Sequence, residues 1–460
     1  MPLISSISGV RGTIPDSLTP DAVKRYTDAF SQLIGGGSIV VGRDGRPSGR
    51  EISAWVCETL SEHGHNVAEI GIVPTPTVQM EIERLGAAGG IAITASHNPE
   101  QWNGLKFLAG SGMFLNPDEN KRLNELAEKI GNGNAAPNSR TAGTITHSTD
   151  AVAQHIKNIL AIPFLDKSAI RNRRFRIVAD AVNAAGSVAV PMLLEQLGCE
   201  VIPLACDGSG IFPHTPEPLA QNLSDLCSAV RLHNADLGIA VDPDADRLVL
   251  ITEKGEPFGE EYTIVQCVKI VLAKISAQTS ANKVVINLST TRAVEDVASQ
   301  YGAETIRTPV GEINVALKMK QVGAVIGGEG SGGVILSNIH YGRDSLVGCA
   351  LTLQHLADFN GTASALRATL PDYSMVKRKI TLQSIQQAAL LLGRVAQRYS
   401  HLPQRTDDGV RADFPNGDWV HVRSSNTEPI IRFIAESKTH DGAVRLADEL
   451  EETLAGGMVH

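Results

Sequence analysis

Short apolar segments alternate with amphipathic helices along most of this 460-residue chain, and this alternation limits the possible folds most strongly. Strands that alternate with helices of ten or more residues are typical of βαβ units in a mainly parallel sheet. Three of the apolar segments, residues 90–94, 237–241 and 324–328, lead into polar loops of different chemistry. We therefore predict one α/β module used three times, each copy with its own functional loop.

The C-terminal part of the chain has a different order of elements. The sequence predicts a strand at 375–382, a helix at 384–398, strands at 419–423 and 429–435, and a closing helix from Asp441. This order is typical of an antiparallel sheet with helices on one face. The predicted fold class is α/β, with three similar α/β domains that have mixed, mainly parallel sheets, plus a C-terminal α+β domain, around a central cleft. We expect the domains at residues 1–150, 151–256, 257–370 and 371–460.

The composition argues against several classes of partner. The net charge of −9 and the pI near 5.8 disfavour a general nucleic-acid or anionic-membrane surface. Six scattered cysteines without a C-x-x-C pair fit reduced thiols better than disulfides or a zinc site. No eighteen apolar residues run together, and the N-terminus does not resemble a signal peptide. We expect a cytoplasmic monomer or homodimer whose partners are small molecules or proteins, and neither nucleic acid nor membrane.

The loop after the first of these segments carries a candidate nucleophile. Ser96 follows the apolar residues 91–93 and so lies at a strand end, where open α/β sheets bind ligands. Lys106 stands in an apolar stretch, an unusual place for a cation, and we expect it to face the same space. A glycine-flanked loop near the N-terminus brings Arg11 and backbone N–H groups within reach of an anion. A polar turn with a solvated lysine and an ordinary N-terminal turn are the alternatives.

The second loop carries three alternating carboxylates. They belong to Asp242, Asp244 and Asp246. Carboxylates this close repel one another unless a cation lies among them, and oxygen-only ligands favour Mg²⁺. A calcium EF-hand would also use Glu253, but its sharp turn needs glycine where this chain has Arg247, and residues 248–251 predict a strand. A solvated acidic turn is the third possibility. Beside a metal, Arg247 could contact a phosphoryl oxygen.

Two later loops have the composition of ligand-binding loops. Glu329 and Ser331 lie among five glycines, where a carboxylate and a hydroxyl can hold a vicinal pair of sugar hydroxyls. The loop that begins at Arg423 gathers hydroxyls, an amide and, at Arg432, a second guanidinium. That composition fits a dianionic phosphate. A common glycine-rich turn and a polar surface turn, respectively, are the alternatives.

Taken in order, the four loops resemble those of the α-D-phosphohexomutase family. The resemblance covers nearly the whole chain and includes residues 8–12 and 42–44. Within the family, residues 96–103 and 340–344 are most similar to the phosphoglucosamine mutase and phosphomannomutase branch. Gly333 and Glu312 depart from the pattern, since other members have histidine at these places. The motifs are Thr94-Ala95-Ser96-His97-Asn98-Pro99, Asp242-x-Asp244-x-Asp246-Arg247, Gly328-Glu329-x-Ser331-Gly332 and Arg423-x-Ser425-Asn426-Thr427-Glu428-Pro429.

The resemblance implies a phosphohexomutase that interconverts a hexose 6-phosphate and the corresponding 1-phosphate. Ser96 is then phosphorylated in the active enzyme, passes its phosphoryl group to the hexose monophosphate, and receives the other phosphate from the hexose 1,6-bisphosphate intermediate. Mg²⁺ would bind the three aspartates and a phosphoserine oxygen on Ser96. The catalytic residues so implied are Ser96, Lys106, Arg11, His97 and Arg247. The substrate-binding residues so implied are Glu329, Ser331, Gly328, Thr308, Arg423, Ser425, Asn426, Thr427 and Arg432.

Glucosamine phosphate is the substrate that the resemblance favours, with mannose or glucose phosphate as the close alternative. A metal-dependent sugar phosphatase, which would hydrolyse the phosphoester on Ser96, is a rival from another enzyme class. A sugar-phosphate-binding protein without activity is the non-enzymatic rival. The intact Ser96, the three aspartates and the Arg423 loop argue against this last possibility.

Overall fold

In the computed structural model, which describes residues 3–133, 141–275, 282–384, 386–425 and 430–455, the chain forms four sheets in sequence. Three are mixed sheets with helices, and the fourth is wholly antiparallel. The predicted fold class is therefore confirmed. We refer to the four sheets, each with its helices, as units one to four.

Unit one has seven strands. Its elements are β1 (Ile4–Ser6), β2 (Gly9–Thr13), α1 (Pro20–Ile34), β3 (Ile39–Arg43), α2 (Gly49–Glu62), β4 (Val67–Ile72), α3 (Thr75–Leu85), β5 (Gly89–Ile93), β6 (Trp102–Ala109), α4 (Pro117–Gly131) and β7 (Ile145–His147). The strand order is β1-β2-β6-β5-β3-β4-β7. Local residues set the helix ends, as in α1, where Thr19 accepts the N–H of Ala22 and Gly35 follows the last turn.

Units two and three have four strands each. Unit two comprises α5 (Ala151–Ile159), α6 (Lys167–Arg173), β8 (Arg176–Asp180), α7 (Gly186–Gln196), β9 (Glu200–Ala205), a 3₁₀ turn (Ala220–Asn222), α8 (Ser224–Leu232), β10 (Leu237–Val241) and β11 (Leu248–Thr252). Unit three comprises α9 (Glu260–Ile275), β12 (Lys283–Asn287), α10 (Ala293–Gln300), β13 (Glu304–Thr308), α11 (Glu312–Val322), β14 (Ile326–Glu329), β15 (Gly333–Leu336), α12 (Ser345–Phe359) and α13 (Ala363–Arg367). The strand orders are β11-β10-β8-β9 and β13-β12-β14-β15.

Unit four is the antiparallel unit. Its elements are β16 (Ser374–Thr381), α14 (Gln386–Arg398), β17 (Gln404–Arg405), β18 (Val410–Asp413), β19 (Trp419–Ser424), β20 (Ile430–Ser437) and α15 (His440–Ala455). The strand order is β16-β20-β19-β18-β17. The central strand β20 thus pairs with β16 on one side and with β19 on the other.

The three α/β units repeat one arrangement of strands. In each unit a central strand (β5, β10 or β14) pairs in parallel with an earlier strand (β3, β8 or β12). The same central strand pairs antiparallel with the strand that follows it in sequence (β6, β11 or β15). The predicted module is therefore used three times, and the three polar loops leave the carboxyl ends of equivalent strands.

The packing of the units fixes the relative positions of these loops. Helices α9 and α12 are buried on nearly every side and belong to one apolar cluster that extends over units two and three. A second cluster joins α3 to α11 through residues such as Ile82 and Met319. Unit four has its own cluster around Val422 and Phe433. Within the described ranges, no helix is both long and apolar enough to cross a membrane.

The segment around Arg11 corrects one local prediction. It is not a loop but strand β2, which pairs antiparallel with β6 so that Arg11 lies opposite Gly104. A five-residue strand at this position depends on hydrogen bonds to a partner far along the chain. Its own residues, which include two glycines, carry little strand preference, so the pairing is not visible in the local sequence.

Candidate active site

Ser96 lies in the turn after β5, and its side chain points toward unit two. Its hydroxyl donates to Asp242 Oδ2 at 3.1 Å, and the residue is only 2% exposed. Its backbone φ of 50° lies in the left-handed region, where residues other than glycine are strained. The N–H of Ser96 donates to Thr94 Oγ1 at 2.9 Å. The turn thus presents one hydroxyl directly to the acidic loop of another unit.

Arg46 holds the Ser96 loop in place, a role not predicted from the sequence. Its guanidinium donates to the carbonyl oxygens of Ser96, Asn98 and Pro99, which lie 50 to 53 residues further along the chain. Its Nε donates to Asp44 Oδ2 at 2.9 Å, and both side chains of this pair are fully buried. Burial raises the pKa of Asp44, while the Arg46 charge opposes that shift. The sequence does show Asp44 and Arg46 as a charged pair directly after β3. The carbonyl oxygens that accept hydrogen bonds from Arg46 are brought to it only by the fold.

The predicted acidic loop follows β10 and is buried. Oxygens of Asp242, Asp244 and Asp246 all lie within 4.8 Å of one another. Asp242 Oδ1 accepts the backbone N–H groups of Asp246 and Arg247, both at 3.2 Å. Among the described residues, Asp244 Oδ1 and Asp246 Oδ1 have no hydrogen-bond partner. Buried carboxylate oxygens without a partner are costly, so this set of oxygens fits a bound cation.

The electrostatics of the loop support the same conclusion. Burial raises the pKa of Asp242 well above its usual range, and the charges of Asp246 and Asp244 raise it further. A cation among the three carboxylates would relieve both effects. The EF-hand alternative is wrong, because strand β11 begins at Leu248 where an EF-hand would start a helix. The carboxylate of Glu253 instead accepts hydrogen bonds from the backbone and hydroxyl of Ser364.

Lys106 extends from β6 into direct contact with the acidic loop. Its Nζ donates to Asp244 Oδ2 at 2.6 Å and lies 3.4 Å from Asp246 Oδ2. Burial alone lowers the pKa of this ammonium, but the two carboxylates outweigh burial and raise it. Lys106 is therefore a fixed positive charge, and it lines the same cavity as Ser96.

Three more residues implied by the resemblance surround the Ser96 loop. Arg11 Nη1 donates to Asn98 Oδ1 at 3.2 Å, and Arg247 Nε lies 3.8 Å from carboxylate oxygens of two of the three aspartates. His97 Nδ1 lies 3.3 Å from the Ser96 hydroxyl. Burial, together with the charges of Arg247 and Arg11, lowers the pKa of His97 to about 2. His97 is therefore a neutral imidazole near neutral pH.

Arg343 joins the acidic loop of unit two to the glycine-rich loop of unit three, and it was not predicted as a site residue. Its Nη2 donates to Asp246 Oδ2 at 2.6 Å, and its Nη1 donates to Glu329 Oε2 at 2.7 Å. Its Nε donates to Glu312 Oε2 at 3.0 Å. Burial alone lowers the pKa of Arg343, but these three carboxylates raise it well above the usual value.

Glu329 is held from two sides and also lines the cavity. Arg343 binds its Oε2. Its Oε1 accepts hydrogen bonds from the side-chain amide of Asn287 at 2.8 Å and from the backbone N–H of Gly311 at 3.0 Å. Ser331, from the same loop, lines the cavity as well. A fixed carboxylate with a nearby hydroxyl suits recognition of sugar hydroxyls.

Several other residues of the predicted sugar and phosphate sites do not line the cavity or fall outside the described residues. Thr308 is buried, and its hydroxyl donates to the carbonyl oxygen of Pro309 at 3.0 Å. Neither Thr308 nor Gly328 is among the described residues that line the cavity. The backbone N–H of Ser425 donates to the carbonyl of Ile430 at 2.9 Å. Asn426 and Thr427 fall outside the described residues.

Unit four contributes a row of three cations. The strand registers place Arg432 on β20 directly opposite Arg423 on β19 and Lys379 on β16. All three side chains line the cavity, and burial lowers the pKa of Arg423. Like charges that face one another across strands are destabilising, so this row fits an anionic ligand. Lys379 was not predicted, because the strand pairing that aligns it with the arginines is not apparent locally.

The loops of all four units meet at one cavity of about 790 Å³. Ser96 and Lys106 lie on its surface with the glycine-rich loop of unit three and the cation row of unit four. The cavity thus combines a serine hydroxyl beside a loop that fits a cation, a carboxylate suited to hydroxyls, and a row of cations that fits an anionic ligand. These are the groups needed for phosphoryl transfer to and from a phosphorylated sugar.

Comparison with known families agrees with this geometry along most of the chain. Residues 4–134 match the phosphoglucomutase/phosphomannomutase alpha/beta/alpha domain I, and residues 153–255 match domain II. Residues 261–373 match domain III, and residues 375–453 match the C-terminal domain.

Individual proteins are similar over comparable lengths. A probable phosphoglucosamine mutase of Methanopyrus kandleri is 34% identical over 445 residues, which cover 96% of this chain and 95% of that protein. A phosphoglucomutase/phosphomannomutase of Thermococcus kodakarensis is 33% identical over 97% of this chain and 98% of its own length. The crystal structure of a phosphoglucomutase/phosphomannomutase family protein from Burkholderia thailandensis has a TM-score of 0.85 at 26% identity, covering 99% of this chain and 97% of that one.

Proposed function

This chain belongs to the phosphoglucomutase/phosphomannomutase family, and we propose that within it the chain interconverts glucosamine 6-phosphate and glucosamine 1-phosphate. The family assignment makes the protein a phosphohexomutase, an isomerase that works by phosphoryl transfer. Glucosamine phosphate is favoured because a relative of nearly equal length is named as a probable phosphoglucosamine mutase. Mannose and glucose phosphates are the alternatives, since a relative of similar identity is named for those sugars.

The contact between Ser96 and the acidic loop carries the proposal. A serine hydroxyl 3.1 Å from Asp242 Oδ2 has no obvious purpose in an ordinary turn, and its strained backbone suggests a functional constraint. In the proposed reaction Ser96 carries a phosphoryl group. The bond between phosphorus and Ser96 Oγ breaks as a bond forms between phosphorus and a sugar hydroxyl oxygen, and the proton that this hydroxyl loses is balanced by the proton that Ser96 Oγ gains. The return step reverses this with the other phosphate of the hexose 1,6-bisphosphate.

Asp242, Asp244 and Asp246 would hold a divalent cation, and we propose Mg²⁺ because only oxygen ligands are offered. When bound, that ion supplies positive charge that stabilises the phosphoryl oxygens beside Ser96. The unpartnered oxygens of Asp244 and Asp246 support such a site.

The surrounding cations would act on the transferring group. Lys106, which the carboxylates of Asp244 and Asp246 keep charged despite its burial, would donate N–H bonds to the phosphoryl oxygens and to the Ser96 oxygen as it leaves. Arg11 and Arg247 would stabilise the same charge from the other sides. Neutral His97, 3.3 Å from the Ser96 hydroxyl, would orient that hydroxyl.

The far end of the cavity would hold the phosphate that does not react. Arg423, Arg432 and Lys379 form the cation row there, and Ser425, Asn426 and Thr427 would complete the loop. Glu329 and Ser331 would bind a pair of sugar hydroxyls between the two ends. One site can then accept the sugar in both orientations, because a phosphate and a hydroxyl pair recur in each.

A coupled assay tests the proposal. Ser96-phosphorylated protein with Mg²⁺ is given glucosamine, mannose or glucose 1- and 6-phosphates, with Ser96→Ala as the control variant. Fastest interconversion of glucosamine phosphate, lost in the control, is the expected result. A preference for mannose or glucose phosphate would make that sugar phosphate the substrate and leave the proposed mechanism unchanged. Release of inorganic phosphate would indicate the phosphatase, and no reaction with any sugar would leave only a binding protein.

We also propose the finer organisation expected from the sequence. The domains would be residues 1–150, 151–256, 257–370 and 371–460, in a cytoplasmic protein that is a monomer or homodimer. Limited proteolysis and sedimentation analysis would test the boundaries and the oligomeric state.

A further inference from the structure

We propose that Arg343 is the positioning residue that fixes Glu329 relative to the acidic loop, and that Gly333 leaves the space through which the Arg343 side chain passes. The inference rests on the proposed function, because it assigns Glu329 to the sugar hydroxyls.

The guanidinium of Arg343 links two carboxylates that would have different tasks. Nη2 donates to Asp246 in the proposed cation site, and Nη1 donates to Glu329 in the proposed sugar site. The Nε bond to Glu312 fixes the plane of the group. A planar fork with several donors can hold three carboxylates at set angles, which a lysine ammonium cannot do. The sugar-facing carboxylate is thereby tied to the loop where phosphoryl transfer takes place.

The strand register explains why glycine stands at position 333. Gly333 on β15 pairs with Glu329 on β14, so Arg343 must cross position 333 to reach the carboxylate of Glu329. A Cβ built on Gly333 would lie 2.3 Å from Arg343 Cδ and 3.0 Å from its Cγ. These are atoms in the middle of the side chain, so they cannot move aside unless the guanidinium withdraws. The φ of Gly333 is not in the left-handed region, so the contact alone would make a side chain unfavourable.

The backbone of Arg343 is also held firmly. Its N–H donates to Glu312 Oε1 at 3.2 Å. The next residue, Asp344, accepts bonds from His155 Nε2 at 2.7 Å and from His340 Nε2 at 3.2 Å, and it also caps α12. The side chain of Arg343 therefore starts from a fixed point and ends on fixed acceptors, as a positioning residue requires.

A double-mutant cycle tests the inference on the full chain. The variants are Gly333→Ala, Arg343→Ala and the double variant, with Gly393→Ala as a control glycine that has open space around it. We measure kcat and KM for the preferred hexose phosphate, and the midpoint of thermal unfolding. Each single variant should raise KM by about tenfold, the size expected for loss of a charged hydrogen bond. The double variant should be no worse than Arg343→Ala, because the alanine at 333 then has nothing to displace. Arg343→Lys should not restore the wild-type KM.

Other outcomes overturn the inference in distinguishable ways. Independent, multiplicative effects of the two substitutions on KM, or full rescue by Arg343→Lys, would overturn the role of Arg343 and leave the proposed function intact. If the wild type interconverts no hexose phosphate, the proposed function fails, and the substrate-positioning role of Arg343 fails with it. Non-additive effects of the substitutions at 333 and 343 on the midpoint of thermal unfolding would then show only that the two residues pack against each other.

Discussion

The two ends of the cavity are built in different ways. At the Ser96 end, side chains from units one, two and three bond directly to one another, as in the contacts of Ser96 with Asp242 and of Arg343 with Asp246. At the cation-row end, Arg423 and Arg432 belong to one sheet with its own apolar cluster. Among the described residues, the hydrogen bonds between units four and three are made by residues outside the cation row, as between Ser289 Oγ and His421 Nδ1.

This difference matches what each end would have to do. Phosphoryl transfer depends on reacting atoms held within a fraction of an ångström, and bonds that cross between units fix such positions. Phosphate binding by a row of cations tolerates more variation in geometry, since charge attraction is less directional than a hydrogen bond at a reacting atom. We therefore expect substitutions of the groups that hold Ser96 or contact the transferring phosphoryl group to lower kcat, and substitutions at the cation row to raise KM.

The largest expected effect is that of Lys106→Met. Loss of the ammonium beside Asp244 should lower kcat by about 10²–10⁴-fold, because a positioned charge or proton donor contributes that much, while KM changes little. Steady-state kinetics with the preferred hexose phosphate measure this. The control is Lys320→Met, an exposed lysine of α11. A large rise in KM with unchanged kcat would contradict the distinction between the two ends.

Arg46→Met should have the next largest effect at the Ser96 end. The substitution leaves the buried Asp44 without its partner and three loop carbonyls without a donor, so unfolding should be easier by about 3–5 kcal/mol. Displacement of Ser96 should also lower kcat by about 10–100-fold. Denaturant unfolding and kinetics test both, with Arg50→Met on α2 as the exposed control. An unchanged kcat would mean that Arg46 acts only on stability.

Arg423→Met tests the cation-row end. Removal of one guanidinium from a phosphate site should raise KM by about 10–30-fold, the value of a charged hydrogen bond, and should leave kcat within about threefold. Arg398→Met, on an exposed residue of α14, is the control. Equal losses in kcat would show that this end also controls the chemical step.

The smallest expected effect concerns the junction of units three and four. Burial lowers the pKa of His421 to about 4, and neutral His421 bonds to Ser289 and to the carbonyl of Asp408. Between pH 6.5 and 4, His421 binds a proton in the unfolded chain but not in the folded chain. The free energy of unfolding therefore falls as the pH drops through this window. From pH 7.5 to 5, wild type should lose up to about 2 kcal/mol more than His421→Asn.

Chemical unfolding at the two pH values checks this, with the exposed His401→Asn as the control. If His421→Asn loses stability with acid as steeply as wild type, the junction does not contribute to acid sensitivity.

Much of the fold could be predicted because its signals are local. Proline and glycine mark the ends of helices such as Pro20–Ile34 and Thr75–Leu85. Apolar segments that end in polar clusters marked β5 and β10. Helices α9 and α12 lack such a signal, because they are apolar on nearly every side and show no amphipathic period.

The sequence by itself determined which functional groups each loop offers, since the residue types and spacing at Ser96, the three aspartates and Arg423 each predict a function. Only the tertiary structure decided which side chains meet. Arg46 and Arg343 act through acceptors far away in the chain, and Lys379 joins the cation row only through the pairing of β16 with β20. The physical reason is that a charged side chain takes its role from its buried neighbours, and those neighbours are brought together by strand register and helix packing.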